Sequence, residues 1–145
     1  MKLSVIQSAI VATALLGSAT VFAAEDAGAR FTATLDGASE APGPGDTDGM
    51  GTATIRVNPG REQLCYSITV SNIAPATMAH IHEAPAGTAG PVIITLKAPT
   101  GGTSQGCVPV SRDFAKEFIK NPSDYYVNVH NAIFPKGAVR GQLGR

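Results

Sequence analysis

Polar and apolar residues alternate along short stretches of this chain, with turn residues between the stretches. In RFTATLD, Phe31, Ala33 and Leu35 fall on one face of an extended strand, and Thr32 and Thr34 on the other. TATIRV repeats the pattern with Ala53, Ile55 and Val57 inward, and QLCYSITV with Leu64, Tyr66, Ile68 and Val70. TMAHIH reads as a strand, PVIITLK is the most apolar run beyond the N-terminal segment, and YYVNVH and AVRGQL complete the set. GASEAPGPGDTDGMG, EAPAGTAG and APTGGTSQG are dense in turn-forming residues and are expected as loops; NPGRE and the Pro-Lys-Gly after Phe134 are expected as turns. CVPV is expected as a short edge segment, since Pro109 cannot donate to a ladder.

One stretch breaks the two-residue period. Ser111 stands where an N-cap belongs and Asp113 falls in the first turn. Phe114, Phe118 and Ile119 form an apolar stripe, and Pro122 ends it, which predicts a helix near residues 112–120. The fold class is therefore all-β. About seven or eight short antiparallel strands bury one core only if packed as two sheets or curled, so a Greek-key sandwich or barrel follows.

The 145-residue chain opens with MKLSVIQSAIVATALLGSATVFA, in which Lys2 precedes an apolar stretch, and Val21 and Ala23 suit the last positions before a cleavage site. Residues 1–23 are expected to be a signal peptide, with an uncleaved anchor as the lesser alternative. Residues 24–29 then form a short leader and 30–145 a single domain. No later run is apolar enough to span a bilayer, so the expected location is periplasmic or extracellular. Cleavage leaves eleven Asp/Glu against ten Lys/Arg. No basic run stands out, which argues against nucleic acid as a partner. An even count of cysteines, Cys65 and Cys107, reads as a disulfide in an exported chain, with a pair of metal thiolates as the alternative.

All three histidines fall in two of the strands. In MAHIHEAP, Met78, His80 and His82 share a face, with Ala79 and Ile81 opposite. In YYVNVH, Val127 and Val129 face the core and leave Tyr126, Asn128 and His130 outside. Were the two strands neighbours, three imidazoles and one thioether would meet on an outer face. Imidazole suits zinc, copper and nickel, and a thioether favours Cu(I). Three protein ligands leave the open position that catalytic or exchanging sites need. Met78, Glu83 and Asn128 are candidates for a further ligand or an outer-sphere partner, and Asp124 is another nearby carboxylate. Met78 reads more simply as core filler. The plain alternative is a solvated His-x-His pair without a metal.

Arg140 puts a charge inside a β run. It either pairs with Glu40 as a buried structural bridge or is solvated on the outer face; support of the fold is the favoured reading. No Ser or Cys sits in a nucleophile context. The Gly-rich GTAGP and PTGGTSQG open no helix with a phosphate-binding lysine.

FTATLDGASEAP, MAHIHEAPAGTAGPVIITL and YYVNVHNAIFPKGAVRGQL resemble the three signatures of the CHRD domain family, the module first described in chordin. These signatures are an opening F-x-A-x-L-x-G with a Glu-x-Pro-type element, then A-H-I-H before a Gly loop, then Y-x-N-V-H followed by G-x-[IV]-R-G-Q-L. The likeness runs from Phe31 to Leu143. It departs at Ala41-Pro42, where the family commonly has Val-Pro-Pro, and at Ala138, which replaces a common Glu. The resemblance implies an immunoglobulin-like or superoxide-dismutase-like β-sandwich in an exported single-domain protein, and fold alone does not settle function. A fainter likeness to copper/zinc superoxide dismutase implies that His80, His82 and His130 are copper ligands, with zinc the lesser alternative. The bridging histidine and the zinc-site residues of that enzyme have no counterpart. Two readings stand. One is an exported copper-binding sandwich that carries copper or acts on superoxide, dismutase activity being the less favoured of these. The other is a non-enzymatic module that presents loops 37–51 and 83–90 to an extracytoplasmic protein or polymer.

Overall fold

The computed structural model of the chain describes residues 28–145; the expected signal peptide and residues 24–27 of the expected leader lie outside the described residues. Eight strands form: β1 (Ala29–Asp36), β2 (Met50–Asn58), β3 (Gln63–Ser71), β4 (Ala76–Glu83), β5 (Val92–Leu96), β6 (Thr103–Pro109), β7 (Tyr125–Asn131) and β8 (Val139–Gln142). One helix, α1 (Arg112–Lys120), precedes β7. The strands make one sheet in the order β5-β4-β7-β8-β1-β2-β3-β6, antiparallel throughout.

That sheet is two four-stranded leaves joined at a narrow seam. At β8–β1 the register holds Asp36 against Arg140, and an isolated bridge joins Thr32 to Gly144. Gly141 lies at the seam, where a Cβ would run into the Thr34 carbonyl. With little ladder to keep it flat, the sheet turns back on itself there and nearly closes around its core. The alternation read in the sequence fills that core. Phe31, Leu35, Ile55, Leu64 and Ile68 come from one leaf and Ile81, Val127, Val129 and Val139 from the other, all almost fully buried. The helix is capped as its sequence predicts: Ser111 Oγ accepts from the Phe114 N–H at 3.2 Å. Its Phe118 bridges the leaves, edge-on to Phe31 at 5.7 Å and stacked on Tyr125 at 4.4 Å.

Two expectations change. Thr103–Gly106, expected as loop, are the first half of β6, paired with Tyr66–Thr69 of β3. The apolar alternation is missing there because the inward positions are Ser104 and Gly106, and the Tyr66 ring fills the place of a side chain at Gly106. Ala29, expected in the leader, already belongs to β1. No helix of the described residues is long and apolar enough to cross a membrane.

Cys65 and Cys107 are register partners on β3 and β6 and are bonded, with S–S 2.08 Å. Neither sulfur is a free thiolate for a metal. The bond staples β6, at the edge of the sheet among the described residues, to its ladder partner β3. The two cysteines are 42 residues apart. On the chain-entropy scale for such a loop, replacing both by alanine should lower the unfolding free energy by about 3–4 kcal/mol. Urea denaturation of the variant, and of reduced wild type beside it, checks this.

Candidate metal centre

β4 and β7 are ladder neighbours although β5, β6 and α1 separate them in the chain. Their register sets Met78 opposite His130, His80 opposite Asn128 and His82 opposite Tyr126. The β7–β8 register continues the rows, with Tyr126 opposite Gln142 and Asn128 opposite Arg140. Strand alternation turns all of these side chains to the outer face. That face is nonetheless covered, and every residue of β7 is buried. The cover is made of three loops, 37–49, 84–91 and 132–138.

Arg140 ties down the middle loop. It is 1% exposed, and a buried cation is tolerated only where its donors are met. Its Nη1 donates to the Thr88 carbonyl at 2.8 Å, and its Nη2 to the Pro85 carbonyl at 3.0 Å and to Gln142 Oε1 at 3.4 Å. The guanidinium carbon sits 3.4 Å from the centre of the Tyr126 ring. Gln142 Nε2 donates to the Ala84 carbonyl at 2.8 Å, and the Tyr126 hydroxyl accepts from the Gly90 N–H at 3.1 Å. Gly90 fits because a Cβ there would collide with the Glu83 carbonyl.

The first loop brings Glu40 to the same face. Its carboxyl accepts from Asn128 Nδ2, while the donors of Arg140 go to the middle loop and Gln142. Burial pushes Glu40 up to about 7, against the opposing charge of Arg140 and the Ala41 N–H, with Asp36 adding to the rise. Asn128 Oδ1 is buried without a partner. A cleft of about 450 Å³ separates the two loops, lined by Glu40, Pro42, Gly87, Arg140 and Gln142 among others.

The three imidazoles converge beside this frame. His82 Nδ1 lies 3.0 Å from the Gly90 carbonyl and His130 Nδ1 3.1 Å from the Pro135 carbonyl. A carbonyl only accepts, so each Nδ1 carries the proton and each Nε2 is left as a lone pair. The Nε2 of His82 is buried and has no partner. The Nε2 of His130 faces His80 Nδ1 at 3.0 Å. Each of the three rings offers a nitrogen within 4.8 Å of the others, the one such group of His, Cys, Asp and Glu among the described residues. An ion held at ~2 Å by each nitrogen needs those nitrogens no more than about 4 Å apart, so rings whose nitrogens are separated by up to 4.8 Å would have to close in by several tenths of an ångström to share one.

Electrostatics keeps the rings neutral and able to donate lone pairs. Burial, then the charge of His80, pushes His130 down to about 4, against the bond to Pro135. Burial also lowers His82, the Gly90 bond opposing and the Arg140 charge assisting, and it lowers His80 with help from His82. His82 stacks on Tyr126 with ring centres 4.7 Å apart and planes 5° from parallel. Guanidinium, phenol and imidazole thus form a packed row from β8 to β4.

Other expected participants fall elsewhere. Glu83 is one residue out of phase with the histidines, is exposed, and acts on Tyr125, whose hydroxyl it helps hold above its usual range after burial. Asp124 precedes the first residue of β7, at the far end of that strand from His130. Asn128 stands opposite His80 but is bonded to Glu40. Met78 is 45% exposed and is not core filler, because its parity puts it outside with the histidines. Tyr126 and Gln142 hold the site together without any signal of their own in the sequence. Only their shared outer-face parity with His130 and Arg140 marks them.

The family model described as CHRD domain matches residues 31–143, from β1 to just past β8. No curated protein and no solved structure matches the chain.

Glu40 and His130 give stability opposite dependences on pH. Glu40 takes a proton more readily folded, near 7, than in its ordinary state at 4.5, so its support is full below pH 4.5 and fades as pH rises through 7. His130 resists protonation when folded, near 4 against an ordinary 6.5, so its burial weakens the fold as pH falls from 6.5 to 4. Glu40→Gln removes the first effect alone. Between pH 4.5 and 7 the variant should gain on wild type by about 2 kcal/mol, measured by urea denaturation with a chelator present.

Proposed function

The chain belongs to the CHRD domain family, and we propose that it is an exported protein that binds one copper-type ion through His80, His82 and His130. The observation that carries this reading is the buried, unpartnered Nε2 of His82, whose tautomer is fixed by the Gly90 carbonyl. A buried nitrogen lone pair left without a donor is costly unless something electron-poor fills the place. Each of the other two imidazoles offers a ring nitrogen within 4.8 Å of one on His82 and of each other.

The donor set fits the ion class. Three imidazoles without a thiolate or a carboxylate suit both copper and zinc, and a given nitrogen site binds copper the more tightly of the two. Three ligands leave a fourth position open, on the side of half-exposed His80. When bound there, copper supplies either one-electron chemistry at that open position or a cargo to hand on. The chain's own part is positional. Pro135 and Gly90 hold two imidazoles in the tautomer that presents Nε2, in the manner of second-sphere carbonyls on ligating histidines. Tyr126 fixes the plane of His82, and Arg140 fixes Tyr126 and the loop that bears Gly90. Export is supported by the disulfide, which persists in oxidising compartments, and by the composition of residues 1–23.

The test is titration of the chain from Ala24 onward with copper and, separately, zinc. One equivalent should bind, and at roughly 100 Kd of free metal the unfolding free energy should rise by about 2.7 kcal/mol. His80→Ala and His130→Ala should each lose more affinity than the ~10–100-fold typical of losing an outer-sphere partner. Binding by both variants equal to wild type would sink the reading.

A further inference from the structure

Met78 is the feature that the three-histidine reading leaves unexplained. It is a large apolar side chain, 45% exposed, in a strand whose inward residues Ala79 and Ile81 are completely buried. Its register partner is His130, and it precedes His80 by one pleat on the same face. Opposite residues in an antiparallel pair bring their side chains within reach of one another. Methionine adds three rotatable bonds and a soft sulfur. His82 and His130 form the buried side of the triad, so Met78 and His80 stand at its solvent rim.

The charge around the triad points the same way. The possible ligands are three imidazoles, none of which brings a negative charge. Behind His82, separated from it by the Tyr126 ring, sits the buried guanidinium of Arg140. A fixed positive charge in a poorly solvated place raises the energy of each further positive charge brought near it. A monovalent ion is repelled less than a divalent one, and a thioether is a soft ligand that prefers Cu(I).

We propose that the site is built for monovalent copper and that the sulfur of Met78 is its fourth ligand, closing the position that the histidines leave open. This rests on the reading of the triad as a metal site. It assigns Met78 a coordinating role that the histidines do not share, since their nitrogens serve zinc and divalent copper as well.

The experiment uses the chain from Ala24 onward under anaerobic conditions, with Cu(I) titrated against bicinchoninate and Zn(II) titrated in parallel. Wild type, Met78→Leu and His130→Ala are compared. Leucine keeps the bulk of the side chain and removes the sulfur, and the exposed position leaves folding undisturbed, which a thermal melt verifies. Met78→Leu should weaken Cu(I) by about tenfold or more, the scale on which one partner of a metal site changes affinity, and leave Zn(II) unchanged. X-ray absorption at the copper edge should show one sulfur neighbour in wild type and none in the variant. The proposal is overturned if Met78→Leu keeps wild-type Cu(I) affinity, if it loses Cu(I) and Zn(II) alike, or if wild type shows no sulfur. If His130→Ala binds both ions as tightly as wild type, the triad reading itself fails, and the proposal with it, whatever Met78 does.

Discussion

A guanidinium buried on the outer face of a sheet sets the terms for everything around it. Arg140 gives up its water and is repaid in protein contacts: two loop carbonyls, the amide of Gln142 and the face of Tyr126. Those carbonyls belong to Pro85 and Thr88, so loop 84–91 has to lie across β7 and β8 for the charge to be met. Once the loop lies there, its Gly90 carbonyl reaches His82 and its Gly90 N–H reaches Tyr126. The tautomer of His82 and the orientation of its ring are consequences of where a cation two strands away is satisfied.

This cover also explains a strand buried on both faces in an antiparallel fold, where one face usually meets water. The inner face of β7 is held by core packing, through Val127 and Val129. The outer face is held by polar contacts, with Tyr126, Asn128 and His130 each bonded to a loop backbone or side chain. Burial without apolar character shifts the titration of two groups on this face, Glu40 and His130. A carboxyl is pushed up at Glu40 and an imidazole down at His130, each toward its neutral form. Arg140 differs from both in that its buried donors are met by the Thr88 and Pro85 carbonyls and by Gln142.

Local periods made most of the fold legible. Alternation in RFTATLD, TATIRV and QLCYSITV follows directly from strands with one buried face, and Ser111 to Pro122 from the chemistry of helix ends. Alternation says which face a side chain takes, and so it placed Met78, His80, His82 and His130 on the outside. It says nothing of what covers that face. Met78 looked like core filler because apolar character suggests burial, but its parity already contradicted this. Thr103–Gly106 looked like loop because an aromatic ring from the neighbouring strand fills the space over Gly106. The adjacency of β4 and β7 is a long-range pairing, invisible to any local period; only the likeness to known signature segments hinted at it. Tyr126 and Gln142 depend on that pairing too, since their roles arise from register with His82 and Arg140.

The site and the core are separable in this architecture. Histidines, tyrosine and arginine all point away from Phe31, Ile55 and Val127, so the outer face can change without opening a cavity in the core. The disulfide reinforces the other leaf, at β3–β6, remote in sheet order from β4 and β7. A fold with its stability invested in one place and its chemistry in another tolerates an energetically unfavourable arrangement in the second. Of the three buried side-chain atoms without a partner among the described residues, His82 Nε2 and Asn128 Oδ1 are on the outer face and Ser104 Oγ is inward on β6. The burial of the first two is compatible with a stable domain because the inner face carries the packing. Of the two outer-face groups, the nitrogen is the one that lies among other imidazoles, His80 and His130, which are themselves joined by a hydrogen bond of 3.0 Å between Nδ1 and Nε2, so the triad is already a connected polar cluster with one acceptor left unmet.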